Sequence, residues 1–198
     1  WCGRSTQLFA FADKLLENGY MVISFDGPAH GRSSGKTTMM PEFLETIKNI
    51  NTTYGPFEAA IGHSFGATSL YIAVSEFLTI KSLIAIGSGD KISDIILNFS
   101  KNLNLKKKSA QLIQSRLEKK WKIKVDDSSS STVAKKINIP VLVIHDKTDG
   151  DVPVKCAYEI RKNLNKGCLL ITNALGHTKI LRNEEVIKKS INFIKQNT

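Results

Sequence analysis

The sequence predicts an α/β protein in which a mostly parallel central sheet carries helices on both faces. Short apolar runs recur along the chain and alternate with segments of helical periodicity. Glycine, proline or charged residues bound these runs, as expected for buried parallel strands. The 198 residues, 41% of them hydrophobic, suit one globular domain with a core. No apolar stretch is long enough to predict a membrane span.

Periodicity and turn residues place the individual elements. The predicted strands are residues 20–27, 57–64, 81–89, 139–146 and 168–173. The predicted helices are residues 7–18, 41–51, 65–78, 154–165 and 184–196. Gly19 is a favourable stop for the first helix, and Pro41 is a favourable start for the second.

Residues 91–133 interrupt the alternation of strands and helices. They are amphipathic and helix-prone, and they end in DDSSSST, a composition typical of a flexible polar connector. The sequence therefore predicts a single core domain, 1–90 and 134–198, with a short helical insertion at 91–133.

Charge and cysteine content narrow the function classes. The formal charge is +10, and the basic residues are concentrated between Lys101 and Lys124. Such a cluster forms either a patch that attracts anions or an ordinary solvated helix face. No zinc-finger, RNP-type or basic-zipper pattern accompanies it, so nucleic acid is not an expected partner. Cys2, Cys156 and Cys168 lack metal-type spacing and predict free thiols in a reducing compartment, the last two as packing residues.

The stretch GHSFG, residues 62–66, predicts a nucleophilic serine. It lies at a strand-to-helix junction, where Ser64 would adopt a strained conformation and Gly62 and Gly66 would prevent side-chain collisions. The N-terminus of the next helix, near Phe65, would direct backbone N–H groups at a developing oxyanion. The alternative is a small-residue turn required only for close packing.

A serine nucleophile needs a base, and the base needs an orienting acid. His177 is the favoured base because it follows the last strand, at the sheet edge where such sites form. His30, His63 and His145 are interpreted as structural residues. Three aspartates, Asp146, Asp149 and Asp151, follow the strand at 139–146, and any of them also suits a turn.

The motifs GHSFG, HDKTDGDVP and LGHTKIL, in that order, resemble the α/β-hydrolase family. The resemblance implies a triad of Ser64, Asp149 and His177 and favours Asp149 over its two neighbours. It also implies two backbone oxyanion donors, the N–H groups of Phe65 and Trp1. The loop FDGPAHGRSSG matches a family loop except that Ala29 replaces a common glycine.

The resemblance further implies that the first strands of the family fold lie before Trp1. We therefore expect a C-terminal portion of a longer chain, with a gap in the sheet between the strands at 20–27 and 57–64. The insertion at 91–133 falls where the family places its cap. A short cap implies an open site, with Ile95, Ile96, Leu97 and Phe99 facing the acyl group.

The sequence thus predicts a serine hydrolase that cleaves small or medium carboxylic esters through an acyl-enzyme. Thioesterase or amidase activity on the same triad, a non-catalytic binding protein and an anionic-surface-binding protein are the alternatives. No cofactor and no metal are expected; SSGKTT lacks the upstream glycine of a phosphate-binding loop. The expected partner is a small-molecule ester. We expect a cytoplasmic location and no membrane span, although a signal peptide before Trp1 is compatible with the sequence.

Overall fold

The structure is a computed structural model that describes residues 5–198. Its strands are β1 (Ala59–His63), β2 (Ser82–Ile86), β3 (Val141–Asp146) and β4 (Gly167–Thr172). Its α-helices are α1 (Phe9–Glu17), α2 (Met40–Tyr54), α3 (Phe65–Glu76), α4 (Ile92–Asn102), α5 (Lys107–Trp121), α6 (Ser130–Ala134), α7 (Lys155–Asn163), α8 (Gly176–Lys179) and α9 (Glu184–Asn197). Short 3-10 helices cover Ser5–Leu8, Val125–Ser128 and Ile180–Arg182.

The four strands form one parallel sheet in the order β1-β2-β3-β4. Alternate side chains of each strand enter opposite layers, as the pleat requires. Leu83 and Ala85 of β2 face one layer, whereas Ile84 and Ile86 face the other. The central strands β2 and β3 are fully buried, which explains why both are continuous apolar runs.

Helices cover both faces of the sheet. Tyr71 and Ile72 of α3 pack on one face with residues from α2, α6 and α7. Phe11 of α1 and Ile194 of α9 pack on the other face. The predicted class is therefore confirmed. None of the helices within residues 5–198 has the length and apolar character needed to cross a bilayer.

The strand predicted at 20–27 is wrong in the structure. Residues 20–27 carry no strand assignment, because a strand exists only when a neighbouring segment supplies a hydrogen-bonded ladder. Tyr20 packs against the α1/α9 layer and Phe25 against the α3 layer. The apolar side chains of this segment thus contribute to the packing of both layers.

The prediction that the connector DDSSSST is flexible and exposed is also wrong. Ser129 and Ser130 are buried, and the Ser130 hydroxyl donates to the Gly89 carbonyl at 2.8 Å. Asp126 accepts from the Ser93 N–H at 2.9 Å and from the Ser93 hydroxyl at 2.7 Å. Polar composition predicted solvent exposure here, but local carbonyl and carboxylate partners allow these serines to be buried.

Two smaller expectations are revised. Cys168 is exposed on the edge strand β4, so it is not a packing residue, whereas Cys156 is half-buried; both are free thiols. In the insertion, Ile95 and Phe99 are exposed while Ile96 and Leu97 are half-buried, so the four apolar residues do not share one face. Ile95 lies against Gly89, where an added Cβ would approach it to 3.0 Å.

Candidate active site

Ser64 lies on a sharp turn between β1 and α3. Its φ of 53° and ψ of −120° are outside the ordinary regions for a residue with a side chain. The Ser64 N–H donates to the Ile86 carbonyl at 2.8 Å, which fixes the turn to the end of β2. A Cβ on Gly62 would come within 2.8 Å of the Ala67 backbone, so the glycine is required there. Gly66 has open space around it, so the predicted collision at that position is wrong.

His177 and Asp149 form a direct pair at the ends of β4 and β3. The distance from His177 Nδ1 to Asp149 Oδ2 is 2.7 Å. The Asp149 side chain is 1% exposed and that of His177 is 12% exposed. Burial alone would raise the pKa of Asp149, but hydrogen bonds from His177 and the Val152 N–H outweigh it and lower that pKa. An ionised Asp149 only accepts, so Nδ1 carries the proton and Nε2 of the neutral ring is an acceptor.

Both oxygens of Asp149 are held in place. Oδ1 accepts from the N–H groups of Asp151 at 2.9 Å and Val152 at 2.8 Å. His145 Nε2 lies 2.9 Å from the Val152 carbonyl and 3.4 Å from Asp149 Oδ2. A carbonyl can only accept, so this Nε2 carries a proton, and its N–H dipole also faces the carboxylate. His145 is thus structural, as predicted, but it supports the acid directly.

Asp146 joins the loop of the acid to the loop of the histidine. Its Oδ1 accepts from the N–H and hydroxyl of Thr148, at 2.9 and 2.7 Å. Its Oδ2 accepts from the Thr172 hydroxyl at 2.6 Å and the Leu175 N–H at 3.1 Å. Burial would raise the pKa of Asp146, but these hydrogen bonds outweigh it and hold that pKa well below its usual range. Sequence reasoning noted only its position and missed this role.

His63 contacts the loop of His177 from the side of the nucleophile. Its Nε2 donates to the His177 carbonyl at 2.9 Å, and the two rings lie 4.5 Å apart. Burial, together with the neighbouring His177 ring, lowers the pKa of His63 to about 4. Gly87, with a φ of 58°, leaves room for both rings, because a Cβ there would lie 3.1 Å from His177 Cε1.

The structure therefore brings Ser64, His63 and His177 into one small region at the carboxyl ends of the strands. Within residues 5–198 no hydrogen bond joins the Ser64 hydroxyl to the His177 ring. Two neighbours connect them instead: His63, the residue before Ser64, bonds to the His177 carbonyl, and Gly87, which follows the Ile86 that Ser64 bonds to, lies beside the His177 ring. Such bonds are often loose in unliganded sites. Phe65 is the first residue of α3, as predicted. Trp1, the predicted second oxyanion donor, lies outside the described residues.

The loop after residues 20–27 is organised by its own polar groups. Asp26 Oδ2 accepts from the Arg32 N–H at 2.9 Å, and the His30 ring lies 2.9 Å from the Pro28 carbonyl. His30 is thus a loop-structuring residue, as interpreted from the sequence. Ala29, where the resembling family commonly has glycine, adopts a φ of 59°. This left-handed conformation favours glycine, which explains the family preference.

Asp149, Asp151 and His177 offer possible metal-ligand atoms within 4.8 Å of one another. Both Asp149 oxygens already accept hydrogen bonds, and Nδ1 of His177 is committed to Asp149. Hydrogen bonds thus already hold the Asp149 carboxylate in place, and Asp151 is exposed. The cluster is accounted for by hydrogen bonding, and we assign no metal to it.

Comparisons with known proteins agree on the fold. A family model described as TAP-like protein matches residues 109–196, less than half of the chain. No curated protein shows significant similarity to the sequence.

Solved structures match over nearly the whole chain. An esterase from Exiguobacterium antarcticum is 16% identical with a TM-score of 0.76, covering 98% of this chain and 89% of its own. A lipase-esterase related protein from Clostridium acetobutylicum is 18% identical with a TM-score of 0.70, covering 96% and 90%. A bromoperoxidase from Bacillus anthracis is 16% identical with a TM-score of 0.72, covering 97% and 88%.

These matches and the parallel sheet define a hydrolase-type fold. The chain therefore has the α/β-hydrolase fold, which it shares with these solved structures.

Proposed function

We propose that the chain is a serine hydrolase that cleaves carboxylic esters of small or medium acyl groups. The observation that carries the proposal is the buried Asp149–His177 pair, 2.7 Å apart, at the same sheet edge as a serine with a strained backbone. A histidine that only fills space does not need a carboxylate to fix its tautomer. An imidazole with its tautomer fixed in this way is what a serine hydroxyl requires in order to act as a nucleophile.

In the proposed mechanism the Ser64 hydroxyl attacks the ester carbonyl and its proton passes to His177 Nε2. The Phe65 N–H, at the N-terminus of α3, stabilises the resulting oxyanion. Collapse of the tetrahedral intermediate expels the alcohol, which takes the proton from His177, and leaves an acyl group on Ser64. Water, deprotonated by His177, then attacks the acyl carbon; the bond from that carbon to Ser64 Oγ breaks, the acid leaves, and Oγ takes the proton back from His177. The segment 91–133, as a cap, would border the acyl site.

A fluorophosphonate probe tests the nucleophile. We expect covalent labelling of the wild-type protein at Ser64 and no labelling of Ser64→Ala. Ser69→Ala is the matched control, because Ser69 belongs to the same helix region but bonds to the Phe65 carbonyl. Failure of the folded wild-type protein to react would favour the non-catalytic alternative.

Thioester and amide cleavage would use the same three groups. A panel of p-nitrophenyl esters of graded chain length, run beside a thioester and an anilide of the same acyl group, separates these activities. We expect the esters to have the highest kcat/KM.

A further inference from the structure

The turn that joins α4 to α5 has an unusual surface. Residues 101–108, KNLNLKKK, are all exposed, and we call them the basic tip. Leu103 is 54% exposed and Leu105 is 42% exposed. Four of the other six residues are lysines: Lys101, Lys106, Lys107 and Lys108. The tip thus presents two leucines among four positive charges.

The exposure of the leucines is a property of an ordered turn. The Leu103 N–H donates to the Phe99 carbonyl at 3.2 Å, and the Leu105 N–H donates to the Ser100 carbonyl at 2.8 Å. Asn104, between them, has a φ of 56° and donates its N–H to the Lys101 carbonyl at 2.9 Å. Ser100 itself is buried, so the turn is anchored at its base. The backbone holds both side chains outward.

The helices on either side of the tip also expose apolar side chains and carry basic residues. Phe99, two residues before the tip, is 48% exposed, and Leu112, four residues after its end, is 52% exposed. Residues 91–124 contain ten basic and two acidic side chains, a net charge of +8 out of the +10 of the whole chain. The remaining residues are nearly neutral. The charge asymmetry of the protein therefore lies in this one segment.

Three kinds of partner could cover such a surface, and the chemistry favours an anionic bilayer. Lysines attract acidic headgroups, while aliphatic side chains between them enter the headgroup boundary. Single-stranded nucleic acid would be met by several aromatic side chains and arginines; residues 101–108 have neither, and residues 91–124 as a whole add only Phe99, Arg116 and Trp121. A second copy of the chain would bring two segments of charge +8 together, which like-charge repulsion opposes.

The tip is close to the proposed active site. A cleft of about 280 Å³ is lined on one side by Asn98, Lys101 and Asn102 of α4. On its other side it is lined by Gly150, Asp151 and Pro153, from the loop that follows Asp149. The first lysine of the tip and the acid loop therefore share one cleft. A surface that holds the tip would therefore also lie near the loop that follows Asp149.

We propose that the basic tip docks the protein on anionic lipid surfaces and that the ester substrate is drawn from that surface. The second half rests on the proposed function, whereas the docking does not. Each lysine near such a surface strengthens binding about fivefold, and this contribution falls with salt. Binding should therefore be weak, reversible and sensitive to ionic strength.

Vesicle co-sedimentation of the wild-type chain tests the docking. We expect binding to phosphatidylcholine vesicles that contain about 30% phosphatidylglycerol at about 0.05 M salt, and at least tenfold weaker binding at about 0.5 M salt. Pure phosphatidylcholine vesicles should bind at least tenfold more weakly. Equal binding to both vesicle types would overturn the proposal.

Two pairs of variants localise the interaction. Lys107→Glu with Lys108→Glu should weaken vesicle binding at least tenfold, whereas the same change at the exposed pair Lys135 and Lys136 should not.

Leu103→Ser with Leu105→Ser should weaken it about three- to tenfold. Leu16→Ser with Met21→Ser is the matched control, because both residues are at least as exposed but lie far from the basic segment in sequence. Equal effects of variant and control in either pair would contradict the assignment to the tip.

Ser64→Ala separates the two proposals. It should bind vesicles like the wild type while hydrolysing no ester. Vesicle binding without any esterase activity in the wild type would sink the proposed function alone, and esterase activity without vesicle binding would sink the docking alone. Salt-sensitive binding to an oligonucleotide that exceeds vesicle binding, or a dimer in light scattering that the leucine variant abolishes, would replace the lipid by that partner.

Discussion

The loops at the strand ends and the basic tip are both short and polar, but their side chains are used in opposite ways. In residues 146–152 and 172–177, carboxylates are buried and bonded across two loops. In residues 101–108 every side chain is exposed, and the turn is held by its own backbone. The first region depends on the position of single atoms. The second depends on summed charge and apolar area, so single changes there should matter less.

The largest expected effect is on the acid. Asp149→Asn keeps the size of the side chain but can present an amide N–H to His177 Nδ1, which favours the wrong tautomer. We expect kcat to fall about 10³- to 10⁴-fold with KM nearly unchanged, the scale typical of Ser-His-Asp triads. Steady-state kinetics on a p-nitrophenyl ester measure it. Asp151→Asn, at an exposed neighbour, is the control and should stay within about threefold; an equal loss in both would remove Asp149 from its role.

The next effect concerns the carboxylate that joins the two loops. Asp146→Asn replaces a charged acceptor of four hydrogen bonds, so we expect the free energy of unfolding to fall by about 3 kcal/mol in urea denaturation. The depressed pKa of Asp146 stabilises the fold above about pH 4, and that stabilisation is lost as the pH falls through the folded pKa. The variant should therefore lose less stability than the wild type on acidification. Asp127→Asn, at an exposed aspartate, should change neither quantity.

A third effect appears only at acidic pH. The pKa of His63 is about 4 in the folded protein, against about 6.5 unfolded, so the unfolded chain binds the extra proton between these values. The stability contribution of His63 is constant above about pH 6.5 and declines by about 3 kcal/mol toward pH 4.

His63→Gln keeps an N–H donor for the His177 carbonyl but does not titrate. Its stability relative to the wild type should rise as the pH falls from about 6.5 to about 4. Parallel urea titrations across this range make the comparison. A difference that does not change with pH would contradict the assigned pKa of His63.

The smallest expected effect is at the tip. Lys107→Glu with Lys108→Glu should change kcat/KM on a short, soluble, neutral ester by less than about twofold, because steering acts on charged ligands. The same variant should lose vesicle binding. A drop in kcat comparable to that of the Asp149 variant would mean that the two regions are coupled, and the contrast between them would fail.

Most of the sheet could be predicted from the sequence because each buried strand is a continuous apolar run ending at a turn residue. The run at 20–27 has the same apolar composition, but the prediction of a strand there failed. A strand also needs a neighbouring strand to bond with, and the composition of the run does not show whether one is present. The prediction that Ser129 and Ser130 are exposed failed for a similar reason. Polar composition predicts exposure, but a buried acceptor such as the Gly89 carbonyl allows a serine to be buried.

The meeting of the loops that carry Asp149 and His177 could be predicted because each loop follows a parallel strand, and such loops lie at one edge of the sheet. Topology did not choose among Asp146, Asp149 and Asp151; only the resemblance to the α/β-hydrolase family favoured Asp149. The role of Asp146 could not be predicted. Its partners are Thr148 in the loop after β3, Thr172 at the end of β4 and Leu175 in the loop after β4. Which donors reach a buried carboxylate depends on tertiary packing.

The bridge made by Asp146 also limits how relatives of this chain can diversify. An insertion of one residue before Thr148 or before Leu175 would carry a donor out of reach of a buried charge, which is strongly destabilising. We therefore expect relatives of this chain to keep the lengths of both loops. The segment between β2 and β3 takes no part in that bridge, so changes of length there would leave its four hydrogen bonds intact.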